Sequence, residues 1–154
     1  MGTGVNPLDH VKGLSGIEAL RAMIAGKLPA PSISQTIGFR LIEVEPGRAV
    51  FEGTPGPHLL NPLGAVHGGY ALTLIDSAAG CALHTELDAG VGYTTVETKV
   101  NFTRPIDPDG GPIRCEGRVL SRGRQIGTAE AYLRDGRGKL LAHGTSTLII
   151  FAAR

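Results

Sequence analysis

The stretch NPLGAVHGGYALTLIDSAAG, residues 61–80, sets a His-Gly-Gly turn at the head of an apolar run that holds one carboxylate, Asp76. Leu72, Leu74, Ile75, Ala78, Ala79, Ala82 and Leu83 surround that carboxylate in sequence. An ionised carboxylate in such company costs free energy unless it is paired or hydrogen-bonded. The run from about Gly69 to Leu87 predicts one long helix, apolar nearly all round, which calls for burial on more than one side. A sheet covers one side of such a helix, and a second copy of the chain is the obvious cover for the rest.

The elements on either side supply the sheet. IGFRLIEVEPGRAVFEGTP, residues 37–55, alternates apolar and polar residues around Glu-Pro-Gly and predicts a hairpin. YTTVETKVNFTRP, residues 93–105, predicts a strand with Val96, Val100 and Phe102 on one face and Glu97, Lys99 and Asn101 on the other. Three more strands fall in residues 112–123, 125–135 and 138–153, separated by turn-forming residues. LSGIEALRAMIAGKLP, residues 14–29, has apolar residues at helical spacing, with Ser15 as cap and Pro29 as stop. Runs of strands rather than strict alternation predict an α+β domain: an antiparallel sheet of about five to six strands wrapped around one long central helix. Residues 1–32 form an N-terminal helical extension, and residues 33–154 form the domain proper.

Composition excludes several function classes. The 154 residues carry a net charge of +1, so no global basic field attracts nucleic acid or an acidic membrane. Aromatic content is 5% with no Trp, which leaves no stacking platform for single strands. Residues 53–75 carry no charged side chain, but Pro55, Pro57 and Pro62 interrupt them, so no membrane span is expected. Cys81 and Cys115 form no CxxC and read as free thiols, and the first residues lack a signal-peptide pattern; both point to the cytoplasm. The myristoylation pattern fails at Asn6. His10, His58, His67, His84 and His143 show no metal-ligand spacing, so no metal is expected.

Gly68 and Gly69 lie at the helix start, where backbone N–H groups lack intrahelical partners and the dipole is positive. Two glycines there either let a carbonyl oxygen approach those donors or only permit a tight turn. Asp76 is a general base or nucleophile, or else a structural carboxylate bonded to a hydroxyl such as Ser77. Nine residues separate His67 from Asp76, a rise of roughly 13 Å on opposite helix faces. One chain can hardly bring both to one substrate atom, whereas two chains related by a two-fold axis can.

The pattern N-P-L-G-x-x-H-G-G-x-x-x-x-L-x-D resembles the hotdog-fold acyl-CoA thioesterases, in the group similar to the phenylacetate-degradation thioesterase PaaI. The resemblance covers about Ile33 to Phe151, and DGRGKLLAHGTST looks like the family's last two strands. It implies that Asp76 acts on the thioester as base or nucleophile. The Gly68 N–H would polarise the carbonyl, Asn61 and His67 would shape the pocket, and Thr95 would position the attacking water. It places coenzyme A near the fourth and fifth strands, here Ser121, Arg122, Gly123, Arg124 and Gln125, with Gly69, Phe102 and Arg104 along the same channel. Residues 114–139 hold seven basic residues against three acids, a local excess of four that suits nucleotide phosphates. Coenzyme A is then part of the substrate and no separate cofactor is implied. The resemblance further implies a dimer or dimer of dimers. An acyl-CoA hydratase or dehydratase and a non-catalytic acyl-CoA sensor are the alternatives.

Overall fold

The computed structural model describes residue 4 and residues 11–152. Asn6 and His10 lie outside the described residues. The elements run α1 (Gly16–Ile24), α2 (Ser32–Ile37), β1 (Phe39–Glu45), β2 (Arg48–Gly53), α3 (Gly68–His84), β3 (Val91–Phe102), β4 (Ile113–Arg122), β5 (Ile126–Arg134) and β6 (Leu140–Ala152). The six strands form one sheet in the order β1-β2-β4-β5-β6-β3, every neighbour antiparallel. The expected α+β architecture, a sheet around one long helix with an additional N-terminal helix, is the observed one. β1 and β3 are its two edges.

The sheet curls around α3, which touches all six strands. Tyr70, Ala71, Leu74, Ile75, Ala78, Ala79 and Leu83 of α3 are buried against it and form the centre of the core. The approach is close enough that a β-carbon on Gly117 of β4 would overlap the Ala78 carbonyl. The outer sheet face is polar over β1, β2 and most of β4, and carries exposed Ile126 and Ile149 on β5 and β6. There Glu52 pairs with Arg40 and Arg114, and Arg48 with Glu43 and Glu116.

Several details differ from expectation. α1 ends at Ile24 and the chain turns at Gly26 (φ 72°), before Pro29, because a left-handed glycine stops a helix without a proline. Ser15 does cap it: the Glu18 carboxylate accepts from the Ser15 N–H at 2.8 Å and from its hydroxyl at 2.7 Å. The short helix α2 was not expected, since six residues carry too little periodicity to read. DGRGKLLAHGTST is one turn and part of one strand, β6, rather than two strands. β3 carries a bulge between Thr95 and Glu97, so Val96 leaves the face it was expected to share with Val100 and Phe102. The apolar girth of α3 is also covered partly from within the chain, because the Gly16 N–H of α1 donates to the Leu87 carbonyl at 2.9 Å.

Candidate active site

The loop before α3 is tied to itself. The Asn61 side-chain oxygen accepts from the N–H groups of Leu63 (2.9 Å) and Ala65 (3.1 Å), and the Asn61 N–H donates to the Ala65 carbonyl at 2.7 Å. A bridge between Leu60 and Val66 closes the loop. Asn61 is thus a loop staple, and through the loop it sets the entry of α3. The His67 N–H donates to the Leu59 carbonyl at 2.8 Å, and His67 becomes the N-cap. Its Nδ1 accepts from the Gly69 N–H at 2.8 Å, which leaves the ring proton on Nε2 at the exposed edge.

These bonds decide which donor remains at the helix start. The Gly69 N–H goes to His67 Nδ1 and the Tyr70 N–H to the His67 carbonyl. Among the described residues nothing accepts from the Gly68 N–H. Gly68 lines a cavity of about 420 Å³, walled also by Val66, Ala71, Phe102, Arg104 and Ile106. Phe102 is 60% exposed and its ring lies 3.0 Å from where a Gly68 β-carbon would stand. Arg104 Nη1 donates to the Leu140 carbonyl at 3.2 Å. Of Gly69, Phe102 and Arg104, expected along one channel, Phe102 and Arg104 line this cavity beside Gly68, whereas Gly69 does not.

Asp76 lies two turns further along α3 and is half-buried. Its hydroxyl partner is neither Ser77 nor Thr95. The Thr98 hydroxyl donates to Asp76 Oδ1 at 3.1 Å, and Ser146 Oγ stands 3.1 Å from that same Thr98 oxygen. Ser146 also reaches the Glu97 carbonyl at 3.1 Å. Two hydroxyl protons serve three contacts, so with the Thr98 proton on the carboxylate, Ser146 shares its own between Thr98 and Glu97. No described residue donates to Asp76 Oδ2. Thr95 stands two rungs away, paired with buried Leu148, across the bulge. The bulge decides which threonine reaches the carboxylate, and nothing in the spacing of the residues announces it.

One protomer does not unite all the expected residues. Gly68 and Asp76 are eight residues apart, a rise of about 12 Å. Ser121, Arg122, Gly123, Arg124 and Gln125 form the exposed β4–β5 turn, closed by the Gly123 N–H on the Ile126 carbonyl at 2.8 Å. Gly127 beside that turn lies against Leu83, near the C-terminal end of α3. The turn and the Gly68 cavity therefore sit at opposite ends of a 17-residue helix, about 25 Å long. Arg122 and Arg124 make no ion pair among the described residues.

Residues 63–142 match the family described as the thioesterase superfamily. The chain belongs to the thioesterase superfamily. A protein of Saccharolobus solfataricus, provisionally named an esterase, is 32% identical to this superfamily member over 81% of this chain and 87% of its own. Human acyl-coenzyme A thioesterase 13 is 26% identical over 84% of this chain and 93% of its own. Among solved structures, a protein of Ralstonia eutropha, provisionally titled a phenylacetic acid degradation-related thioesterase, superposes with a TM-score of 0.77. It is 26% identical and covers 84% of this chain and 98% of its own. This thioesterase-superfamily chain thus has the hotdog fold and fits the PaaI-like group. No described helix is long and apolar enough to cross a membrane.

Proposed function

We propose that the protein hydrolyses an acyl-CoA thioester to the free acid and coenzyme A, at a site completed by two chains. The observation that carries this reading is a complementary pair: an unspent N–H at Gly68, a residue that lines a largely apolar cavity, and a half-buried carboxylate at Asp76 with one oxygen unspent. The N–H and the positive helix end stabilise the oxyanion that forms on the thioester oxygen. Asp76 takes the proton of an attacking water, or attacks itself and is then released by water. Collapse of the tetrahedral intermediate expels the coenzyme A thiolate, which is protonated in turn. Coenzyme A belongs to the substrate and no further cofactor is required.

The two groups lie about 12 Å apart along one helix, too far for one carbonyl. β3 is a 12-residue edge strand with its outer side unpaired, and Val96 on it is exposed. Antiparallel pairing of two β3 edges sets one α3 against the other head to tail. Gly68 of one protomer then approaches Asp76 of the partner, and each β4–β5 turn, with Arg122 and Arg124, approaches the partner's cavity. Such a turn offers two free guanidinium groups to the nucleotide phosphates.

The test is thiol release from aryl and straight-chain acyl-CoAs by the wild type and Asp76→Asn. The wild type releases thiol, and the variant loses activity by about 10²- to 10⁴-fold. No release by the wild type, with coenzyme A still bound, would replace the hydrolase with a sensor. A mixed oligomer of Asp76→Asn and Gly68→Ala chains regains activity if the site is shared, and stays inactive if each chain has its own.

A further inference from the structure

A second cavity, of about 270 Å³, meets α3 at Cys81, thirteen residues along the helix from Gly68. Leu20, Met23 and Ile24 of α1 form its outer wall, Leu41 and Phe51 of the β1–β2 hairpin its floor, and Cys81 of α3 its inner end. Arg40 stands at its rim, where the guanidinium is held outward on Glu52 at 2.8 Å and is 73% exposed. The enclosed walls are therefore mainly apolar, with Ser34 the one other polar residue on them. A space of this kind holds water poorly and its lining forgoes dispersion contacts, so an apolar guest fills it favourably.

The outer wall is fixed rather than loose. α1 is anchored on the end of α3: the Gly16 N–H donates to the Leu87 carbonyl at 2.9 Å, and a β-carbon on Gly16 would overlap the carbonyl of His84. The inner end is inert. Burial, opposed by a hydrogen bond with Tyr93 and reinforced by the Asp76 carboxylate, pushes the Cys81 thiol up to about 12. Such a thiol is a wall, not a nucleophile. Around α3 the Cys81 side chain stands about 140° from that of Asp76. Cys81 follows Asp76 by five residues, a rise of about 7.5 Å.

We propose that this cavity is the subsite for the distal part of a flexible, medium-length aliphatic acyl chain whose carbonyl is held at Asp76. The inference rests on the thioesterase reading and names its substrate class. The distance selects among acyl groups: an aromatic ring bonded directly to the carbonyl stays within a turn of Asp76 and leaves the cavity empty, whereas an extended alkyl chain passes Cys81 and enters it. The N-terminal helix thereby becomes a specificity element, since Leu20, Met23 and Ile24 of its length line the cavity.

The test compares kcat/KM for acetyl-, benzoyl- and decanoyl-CoA in the wild type, Met23→Trp and Met23→Ala. Met23 is part-exposed on the outer wall and outside the reacting site, so both variants leave the Asp76 chemistry alone. Met23→Trp narrows the cavity and lowers decanoyl-CoA turnover by about tenfold or more, while acetyl-CoA stays within about twofold. Met23→Ala, which cannot overpack, shifts the preferred chain length upward. Equal changes for acetyl and decanoyl substrates in both variants would overturn the subsite while leaving the hydrolase standing. Decanoate itself gives an independent readout: it raises the wild-type Tm and no longer does so in Met23→Trp. If no thioester is hydrolysed, the enzymatic reading fails first, and the decanoate shift still decides the cavity: its presence supports an aliphatic site and its absence overturns one.

Discussion

The Thr98 hydroxyl donates to Asp76 Oδ1 at 3.1 Å, across 22 residues of sequence and from a strand to a helix. This bond holds one carboxylate oxygen and leaves the other without a donor among the described residues. Thr98→Val deletes the donor and keeps the shape. A hydrogen bond to a charged group contributes about 1.5–3 kcal/mol, so kcat falls by roughly 10- to 100-fold with a smaller change in KM. Thr95→Val, on the far side of the bulge, stays within about threefold by the same reasoning. Steady-state kinetics on one substrate decides which threonine serves the carboxylate.

Gly68 has a second measurable property. Its missing β-carbon makes room for the Phe102 ring, 3.0 Å away. Gly68→Ala pushes the ring into the cavity and crowds the free N–H. We expect kcat/KM to drop by about 10²-fold, the range seen on losing one oxyanion donor. Phe102→Ala added to Gly68→Ala relieves the crowding and restores part of the loss, a coupling that a double-mutant cycle reads directly.

His67 acts here as a helix cap through Nδ1. His67→Ala leaves the Gly69 N–H unsatisfied and costs about 1 kcal/mol of stability, measured by urea denaturation. His67→Asn restores the cap and most of that stability. Recovery of activity together with stability in His67→Asn would identify the ring as structural. Recovery of stability alone would assign the exposed Nε2 edge to the substrate.

His84 sets a pH dependence of stability. Burial holds its pKa below the ordinary 6.5, and its Nδ1 is buried with no hydrogen-bond partner among the described residues. Below 6.5 the unfolded chain takes up a proton that the native chain refuses. Stability is therefore full above the unfolded value and falls as pH drops from 6.5 toward the lower native value. The urea midpoint of the wild type declines between neutral and mildly acidic pH. His84→Gln flattens that part of the profile.

Local chemistry made most of the architecture readable in advance. Alternation around Glu-Pro-Gly predicted the hairpin, and the run after His-Gly-Gly predicted the central helix to within a few residues at each end. Gly68 and Asp76 stood out for the same reason: a helix start and a lone carboxylate are local features. Thr98 did not stand out. Its role depends on the bulge after Thr95, which shifts the register of β3 against β6 and can be assigned only once both strands are paired. The β4–β5 arginines are grouped with Gly69, Phe102 and Arg104 by resemblance, yet within one chain they lie at the other end of α3.

By itself, then, the sequence determined the element order, the sheet-around-helix architecture and the two groups at Gly68 and Asp76, because periodicity, capping and turn residues act over a few positions. Only the tertiary structure decided the hydroxyl on Asp76, the free N–H at Gly68 and the cavity behind Cys81. Each of these comes from residues far apart in the chain, brought together by strand register and by the docking of α1 on α3, and no local pattern encodes such distances.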